Sequence, residues 1–209
     1  LRIVKYLRDH EINTILDIGA NDGGYASSLY AAGYEGRILS FEPLPGAWRM
    51  LSERAKRTHP NWQVVASMAL SYYDGKASFN VARNSVSSSL LAMTSTHREA
   101  SPGSDSDTVI EVDMRRLDSV VQEYGEIYPA FLKIDVQGAE KYVLDGAMHS
   151  LKTSIVGQVQ AFDMHNIIES IGYTLWDIQP GFRHNQSLKL LQFDGIYFRE
   201  RTDLNRRLD

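Results

Sequence analysis

Short apolar runs alternate with helix-patterned segments along the chain, and that alternation leaves few folds open. Thr14–Ile18 is a buried-strand run ended by Gly19, and Tyr25–Ala32 is a helix ended near Gly33. Arg37–Glu42 is a second strand stopped by Pro43, Ala47–Thr58 a second helix, and Trp62–Leu70 contains a third strand. Strand and helix at this spacing are βα units, which require a parallel sheet with helices packed on it. The rhythm resumes with a strand at Ala130–Asp135, a helix at Ala139–Leu151, a strand at Ser154–Val159 and a helix at Asp163–Ile171. Tyr173–Ile178 and Asp194–Glu200 are the last strands, giving seven in one α/β layer structure. Between the third and fourth strands, Lys76–Ala82 and Thr108–Met114 alternate apolar with polar residues, the pattern of a half-exposed antiparallel pair. The expected organisation is one domain over 1–209, with an N-terminal helix in 1–12 and a β and loop insertion at 75–115. Leu117–Tyr124 is expected to be helical with Asp118 as its N-cap.

Composition narrows the function classes. With 209 residues, 43% hydrophobic and 23% charged, the chain holds enough apolar surface to fold, and disorder is excluded. No apolar run approaches the ~18 residues of a membrane span, so no integral membrane segment is expected. A net charge of −4 argues against a nucleic-acid partner. The chain has no cysteine, which removes disulfides, thiolate catalysis and cysteine-ligated zinc and fits a cytoplasmic setting. It begins at Leu1, and the strand near Val159 runs into the next helix by Phe162 with almost no connection. Further residues at both places are therefore expected in the natural chain.

The segment Asp17-Ile18-Gly19-Ala20-Asn21-Asp22-Gly23-Gly24 follows a strand and opens a helix. Glycines there permit positive φ and close ligand approach, and the helix start offers free N–H groups. A nucleoside-type ligand is the natural reading. Asn21 stands where a dinucleotide fingerprint wants its second glycine, against a pyrophosphate, which disfavours NAD. Glu42, at the end of the second strand, can accept both ribose hydroxyl protons, and its charge disfavours a 2′-phosphate.

Several blocks in order resemble the FkbM-type methyltransferases, which use S-adenosylmethionine. They are Leu16 to Gly23, Phe41-Glu42-Pro43, Ala69-Leu70-Ser71, Ser87-Ser88-Ser89-Leu90, Leu117-Asp118, Leu132 to Glu140, and Asp194-Gly195-Ile196-Tyr197-Phe198. The resemblance implies a Rossmann-like seven-stranded methyltransferase sheet, mostly parallel with the last strand antiparallel. It implies S-adenosylmethionine-dependent methyl transfer to a hydroxyl of a sugar, glycolipid or polyketide-like acceptor. It also implies that Asp17, Gly19, Ala20, Asn21 and Gly23 line the methionine and ribose, with Glu42 and Pro43 at the ribose. Ser67, Met68 and Ala69 then lie by the adenine, and Asp135 near the reacting methyl. One departure is plain: members usually carry an acid in the fifth strand followed by a substrate-side loop, and Val156 to Asp163 shows neither.

Methyl transfer is an in-line displacement in which positioning contributes on the order of 7–11 kcal/mol. A base for the acceptor hydroxyl adds ~100-fold or more. Asp135 is the first candidate for a methyl-proximal role, as base or as binding residue. Lys133 lies on the same face, and a lysine in an apolar strand needs a carboxylate partner, so an ion pair orienting Asp135 or Glu42 is expected. Glu140 is read as stabilising a helix N-terminus. His165 and His184 are candidate bases on the acceptor side; Arg183, Ser87 and Ser88 are candidate acceptor contacts, and Tyr25 is placed to touch the donor. Asp135, Asp163 and Asp177 offer oxygen ligands of the kind magnesium takes, but no spacing marks a metal site, and capping or solvated aspartates are the preferred reading. Trp48 and Trp62 are read as packing and Trp176 as core. The partner is a small-molecule or glycan acceptor, and a homodimer is compatible with the sequence. The alternatives carried are a non-catalytic nucleoside-binding module and an NAD-dependent oxidoreductase.

Overall fold

The computed structural model describes residues 1–82, 106–125, 127–153, 156–160, 162–181 and 193–198. One sheet runs in the order β3 (Trp62–Val64), β2 (Arg37–Phe41), β1 (Thr14–Ile18), β7 (Ala130–Ile134), β8 (Val156–Gln160), β10 (Phe193–Phe198), β9 (Thr174–Pro180). The pairs from β3 to β8 are parallel, and β10 is antiparallel to both of its neighbours. The architecture is α/β and Rossmann-like. β1 and β7 are buried at all five positions each, because helices cover both faces.

On one face α1 (Arg2–Asp9), α2 (Gly24–Ala31) and α3 (Pro45–Thr58) pack Leu7, Leu29 and Leu51 against Ile15, Ile38 and Phe131. On the other, α4 (Leu117–Val120), α5 (Glu140–Asp145), α6 (Met148–Thr153) and α7 (Phe162–Ser170) close over Leu16, Leu39 and Leu132. A second sheet holds β4 (Ala69–Leu70), β6 (Ser106–Arg115) and β5 (Gly75–Ala82), with β5 and β6 antiparallel over eight residue pairs. Its small core joins Phe79, Val112 and Met114 to Leu44 and Ala47. The parallel crossovers leave β1 in opposite directions, toward β2 on one side and β7 on the other. Ligand clefts of open α/β sheets form outside the carboxyl ends of the strands at such a switch point.

Four local expectations need correction. Ala139–Leu151 is not one helix: α5 and α6 meet at Gly146, whose backbone passes so close to Ser71 that a Cβ there would lie 1.9 Å from the Ser71 carbonyl oxygen. Leu117–Tyr124 is a single α turn followed by a 3₁₀ turn over Val121–Tyr124. Asp118 does not cap that helix. Its carboxylate accepts the His149 and Ser150 N–H groups at 3.0 and 2.8 Å, so it caps the start of α6 instead. Trp176 is not core: it lies on the edge strand β9, is 51% exposed, and meets Phe198 and His10 with one face. Trp48 and Trp62 do pack, each donating its indole N–H inward, to the Val65 carbonyl and the Ser40 hydroxyl respectively.

Candidate active site

The site is built on a row of polar side chains crossing three strands. Ser40, Asp17 and Lys133 are register partners across β2, β1 and β7, so their side chains leave the same face side by side. Asp17 is fully buried. Ser40 Oγ donates to Asp17 Oδ2 at 3.2 Å, and Lys133 Nζ stands 3.1 Å from Asp17 Oδ1. Lys133 also donates to the Gly19 carbonyl at 2.9 Å, and its Nζ faces Asp135 at 3.9 Å and the Tyr25 ring at 5.5 Å. Burial works to lower the Lys133 pKa, but the carboxylates of Asp17 and Asp135 outweigh it and hold the ammonium above its ordinary value. Lys133 is thus ion-paired, but its near partner is Asp17 and not the expected Asp135 or Glu42; Asp135 stands farther, at 3.9 Å.

The first turn hangs from this row. Gly19 and Ala20 both donate to the Phe41 carbonyl, tying the turn to β2. Gly19 has φ 76°, and a Cβ there would lie 1.9 Å from the Asp135 carbonyl oxygen, so no side chain fits. Asn21 adopts φ 48°, a left-handed conformation that asparagine tolerates. That conformation aims its N–H at Glu42 Oε2, 2.8 Å away, while Leu44 N–H donates to Glu42 Oε1 at 2.9 Å. Burial pushes the Glu42 pKa up, opposed by these two hydrogen bonds and by Lys133. Each carboxylate oxygen retains a lone pair for a ligand hydroxyl.

A second turn follows β7. Gln137 and Gly138 have φ 55° and 97°. Glu140, buried, accepts the N–H groups of Val136 and Gly138 at 3.2 and 3.1 Å, so it folds this turn back as well as lying in the first turn of α5. Gln137 Nε2 donates to Asp135 Oδ1 at 2.8 Å, which fixes the Asp135 carboxylate.

Two cavities open between these turns. One is largely apolar, lined by Phe41, Pro43, Leu44, Met68, Leu70 and Phe79, with Glu42 also in its lining. The other is polar, lined by Asp22, Tyr25, Lys133, Gln179 and Asp194. Gly19, Asn21, Asp135 and Gln137 line both, so the cavities meet there. Burial, then the charges of Asp17 and Asp194, hold the Tyr25 phenol well above its ordinary pKa. Asp22 is paired with Arg54 at 2.9 Å.

Most of the residues expected from the sequence converge here. Asp17 and Gly23 shape the site from beneath: a Cβ on Gly23, which has φ 85°, would meet Leu51 and Trp62 at 2.8 Å. Met68 and Ala69 line the apolar cavity, and Ser67 fastens this segment by donating to the Pro43 carbonyl at 2.9 Å. His165 lies apart from both cavities, on α7, with Nδ1 3.3 Å from the Tyr197 hydroxyl and Nε2 3.5 Å from Glu169. Ser87, Ser88, Arg183 and His184 fall outside the described residues. Asp177 faces α1, where Arg2 stands 3.7 Å away, and the Asp163 side chain falls outside the described residues. Among the described residues no three His, Asp or Glu side chains gather as a metal site would.

Asp194 and Gln179 were not foreseen. The signal was available: an acid opening a last strand that runs antiparallel lands at the same sheet edge as the carboxyl ends of the parallel strands.

Similarity to known proteins agrees with this geometry. The methyltransferase FkbM domain matches residues 17–184. The chain belongs to the FkbM methyltransferase family. It is 26% identical over 200 residues to the hexuronic acid methyltransferase AglP of Haloferax volcanii, covering 95% of this chain and 69% of that protein. Among solved structures it resembles a protein in the NADB-Rossmann superfamily from Streptococcus agalactiae, with TM-score 0.53 and 9% identity over 95% of this chain and 68% of that one. An uncharacterized protein from Listeria monocytogenes serotype 4b gives TM-score 0.51 and 10% identity over 96% and 68%. At such identities the likeness concerns the fold alone.

Proposed function

We propose that this FkbM methyltransferase transfers a methyl group from S-adenosylmethionine to a hydroxyl oxygen of a sugar-type acceptor. The observation that carries the reading is the meeting of an apolar and a polar cavity at Gly19, Asn21 and Asp135, with Glu42 beside the apolar one. The apolar cavity suits a flat base against Met68, Leu70 and Phe79. Glu42 suits the ribose hydroxyls, its carboxylate already oriented by two backbone N–H groups. Asp22, Glu42, Asp135 and Asp194 line the cavities, with Asp17 beneath, against Lys133 as the single lining cation among the described residues, a balance that favours a positively charged ligand.

When bound, the donor supplies an activated methyl on a sulfonium. The chain supplies the rest. Lys133, held by Asp17, donates to the Gly19 carbonyl and keeps the turn closed; Asp135, fixed by Gln137, faces the junction where that charge belongs. The methyltransferase relative named for hexuronic acid supports a carbohydrate acceptor. The second sheet, of β4, β5 and β6, supplies Phe79 to the apolar wall, and we read it as an insertion that builds the base pocket.

Isothermal titration with S-adenosylhomocysteine and, separately, NAD tests the donor. Binding of the first without the second is expected; NAD binding alone sinks the proposal. Transfer of a labelled methyl group to glucuronate, galacturonate and neutral hexosides then separates an enzyme from a binding module that has lost catalysis.

A further inference from the structure

We propose that Asp194 and Gln179 form the acceptor subsite and that Asp194 is the catalytic base, an inference that rests on the methyl-transfer reading above. β10 is antiparallel to β8 and β9, so its first residues lie at the sheet edge where the parallel strands end. Asp194 and Gln179 are register partners across β10 and β9, and both line the polar cavity. Directly opposed residues of an antiparallel pair have Cβ atoms about 4.5–5.5 Å apart. A carboxylate and an amide at that spacing, one purely accepting and one able to do both, match two neighbouring hydroxyls on a sugar ring. Asp194 also bears electrostatically on Lys133 and Tyr25, so its charge is felt across the polar cavity.

Position separates Asp194 from Asp135. Asp135 lines both cavities, with Oδ1 held by Gln137 and Oδ2 facing Lys133. That is the place of a group facing donor charge. Asp194 lines the polar cavity and not the apolar one. In the step assigned to it, the acceptor oxygen forms its bond to the methyl carbon while the carbon–sulfur bond breaks and leaves its electron pair on sulfur. The hydroxyl proton passes to the Asp194 carboxylate. The products are a methyl ether, a neutral thioether and a protonated Asp194.

The test begins with S-adenosylhomocysteine titrated into wild type, Asp194→Asn and Gln179→Ala. Equal affinities within about twofold are expected, because S-adenosylhomocysteine lacks the sulfonium charge that Asp194 would attract and neither residue lines the apolar cavity. Absence of donor binding in wild type overturns the methyl-transfer reading itself, and this inference with it. Methyl β-D-glucopyranoside and D-glucuronate are then titrated into the S-adenosylhomocysteine complexes. Wild type is expected to bind at least one, and both variants to bind it at least about fivefold more weakly, the loss of one or two hydrogen bonds. Methyl transfer to that probe is expected to fall about 100-fold or more in Asp194→Asn through kcat, and in Gln179→Ala mainly through KM. Asp194→Ser replaces the asparagine variant if that one does not fold. Binding of neither sugar by wild type overturns the subsite, as does unchanged binding in both variants. Binding without transfer, or an unchanged kcat in Asp194→Asn, removes Asp194 as the base.

Discussion

Lys133 ties a buried ion pair of the sheet to the turn that lines the proposed site. Asp17 is wholly buried, and Lys133 is its cationic partner at 3.1 Å. Lys133→Met keeps the aliphatic stem and leaves the Asp17 carboxylate uncompensated, so we expect a loss of about 3–5 kcal/mol in urea unfolding. It also frees the Gly19 carbonyl, so donor affinity should fall even where the variant is fully folded. Glu42 gives a pH signature. Burial raises its pKa above the ordinary 4.5, so the folded apo protein binds that proton more tightly than the unfolded chain does. Its contribution to apo stability is therefore present below the unfolded value near 4.5 and is lost as pH rises through the folded value. Donor binding as proposed has the opposite sign, because ribose hydroxyls at Glu42 would need the unprotonated carboxylate. S-adenosylhomocysteine affinity should weaken as pH falls through a value above 4.5, and in Glu42→Ala this limb should vanish with affinity already at least about tenfold down. Asp135→Ala should lose about 100-fold in turnover and little in donor affinity. These acids were legible in the sequence because each ends a strand beside a turn. Lys133's partner was legible as a type, a carboxylate, but its identity depended on the β1–β7 register, which no local pattern encodes. Asp194 differs: the antiparallel last strand was expected, and its direction alone brings Asp194 to the carboxyl ends of the parallel strands.

At the scale of elements, the two glycines Gly46 and Gly146 make opposite predictions. A Cβ on Gly46, in the first turn of α3, meets nothing within 4 Å, so Gly46→Ala should stabilise by about 0.5–1 kcal/mol through helix propensity and chain entropy. Gly146 has an ordinary φ of −83°, but a Cβ there would strike the Ser71 carbonyl at 1.9 Å. Gly146→Ala should therefore destabilise, at a cost of about 1–3 kcal/mol, and thermal unfolding should drop by roughly 2–4 °C for each. A melt with Gly146→Ala at or above wild type would show that α5 and α6 tolerate a wider separation from the Ser71 segment. The same contact explains why the helix break was invisible beforehand. Helical periodicity runs on through Gly146, and what interrupts it is a segment about seventy-five residues earlier in the chain. Strand runs were legible because burial on both faces leaves a continuous apolar signature, as in β1 and β7. Trp176 misled because β9 is an edge strand, and an aromatic in a strand pattern does not say which face is covered.

At the scale of the whole molecule, the switch point between β1 and β7 means that a ligand there touches both halves of the sheet. The first turn hangs from β1 and β2; the second hangs from β7 and α5. They contact one another where Gly19 abuts the Asp135 carbonyl and where Lys133 reaches the Gly19 oxygen. A nucleoside ligand lying from Glu42 to Asp135 adds a third link between the halves. Binding stabilises the folded state by about 2.7 kcal/mol at a ligand concentration 100 times Kd, and the stabilisation is shared by every region whose opening releases the ligand. Amide exchange should therefore slow together at Gly19–Tyr25, Glu42–Leu44 and Asp135–Ala139 when S-adenosylhomocysteine is added. β9 and the start of β10 should respond less until a sugar probe is present, since Gln179 and Asp194 line only the polar cavity. In Glu42→Ala, ligand at saturating concentration should still protect Asp135–Ala139 while protection at Glu42–Leu44 is reduced, because only the proposed ribose anchor has been removed. Protection confined to one turn in the wild-type complex would mean that the ligand does not cross the switch point, and that the two cavities act separately.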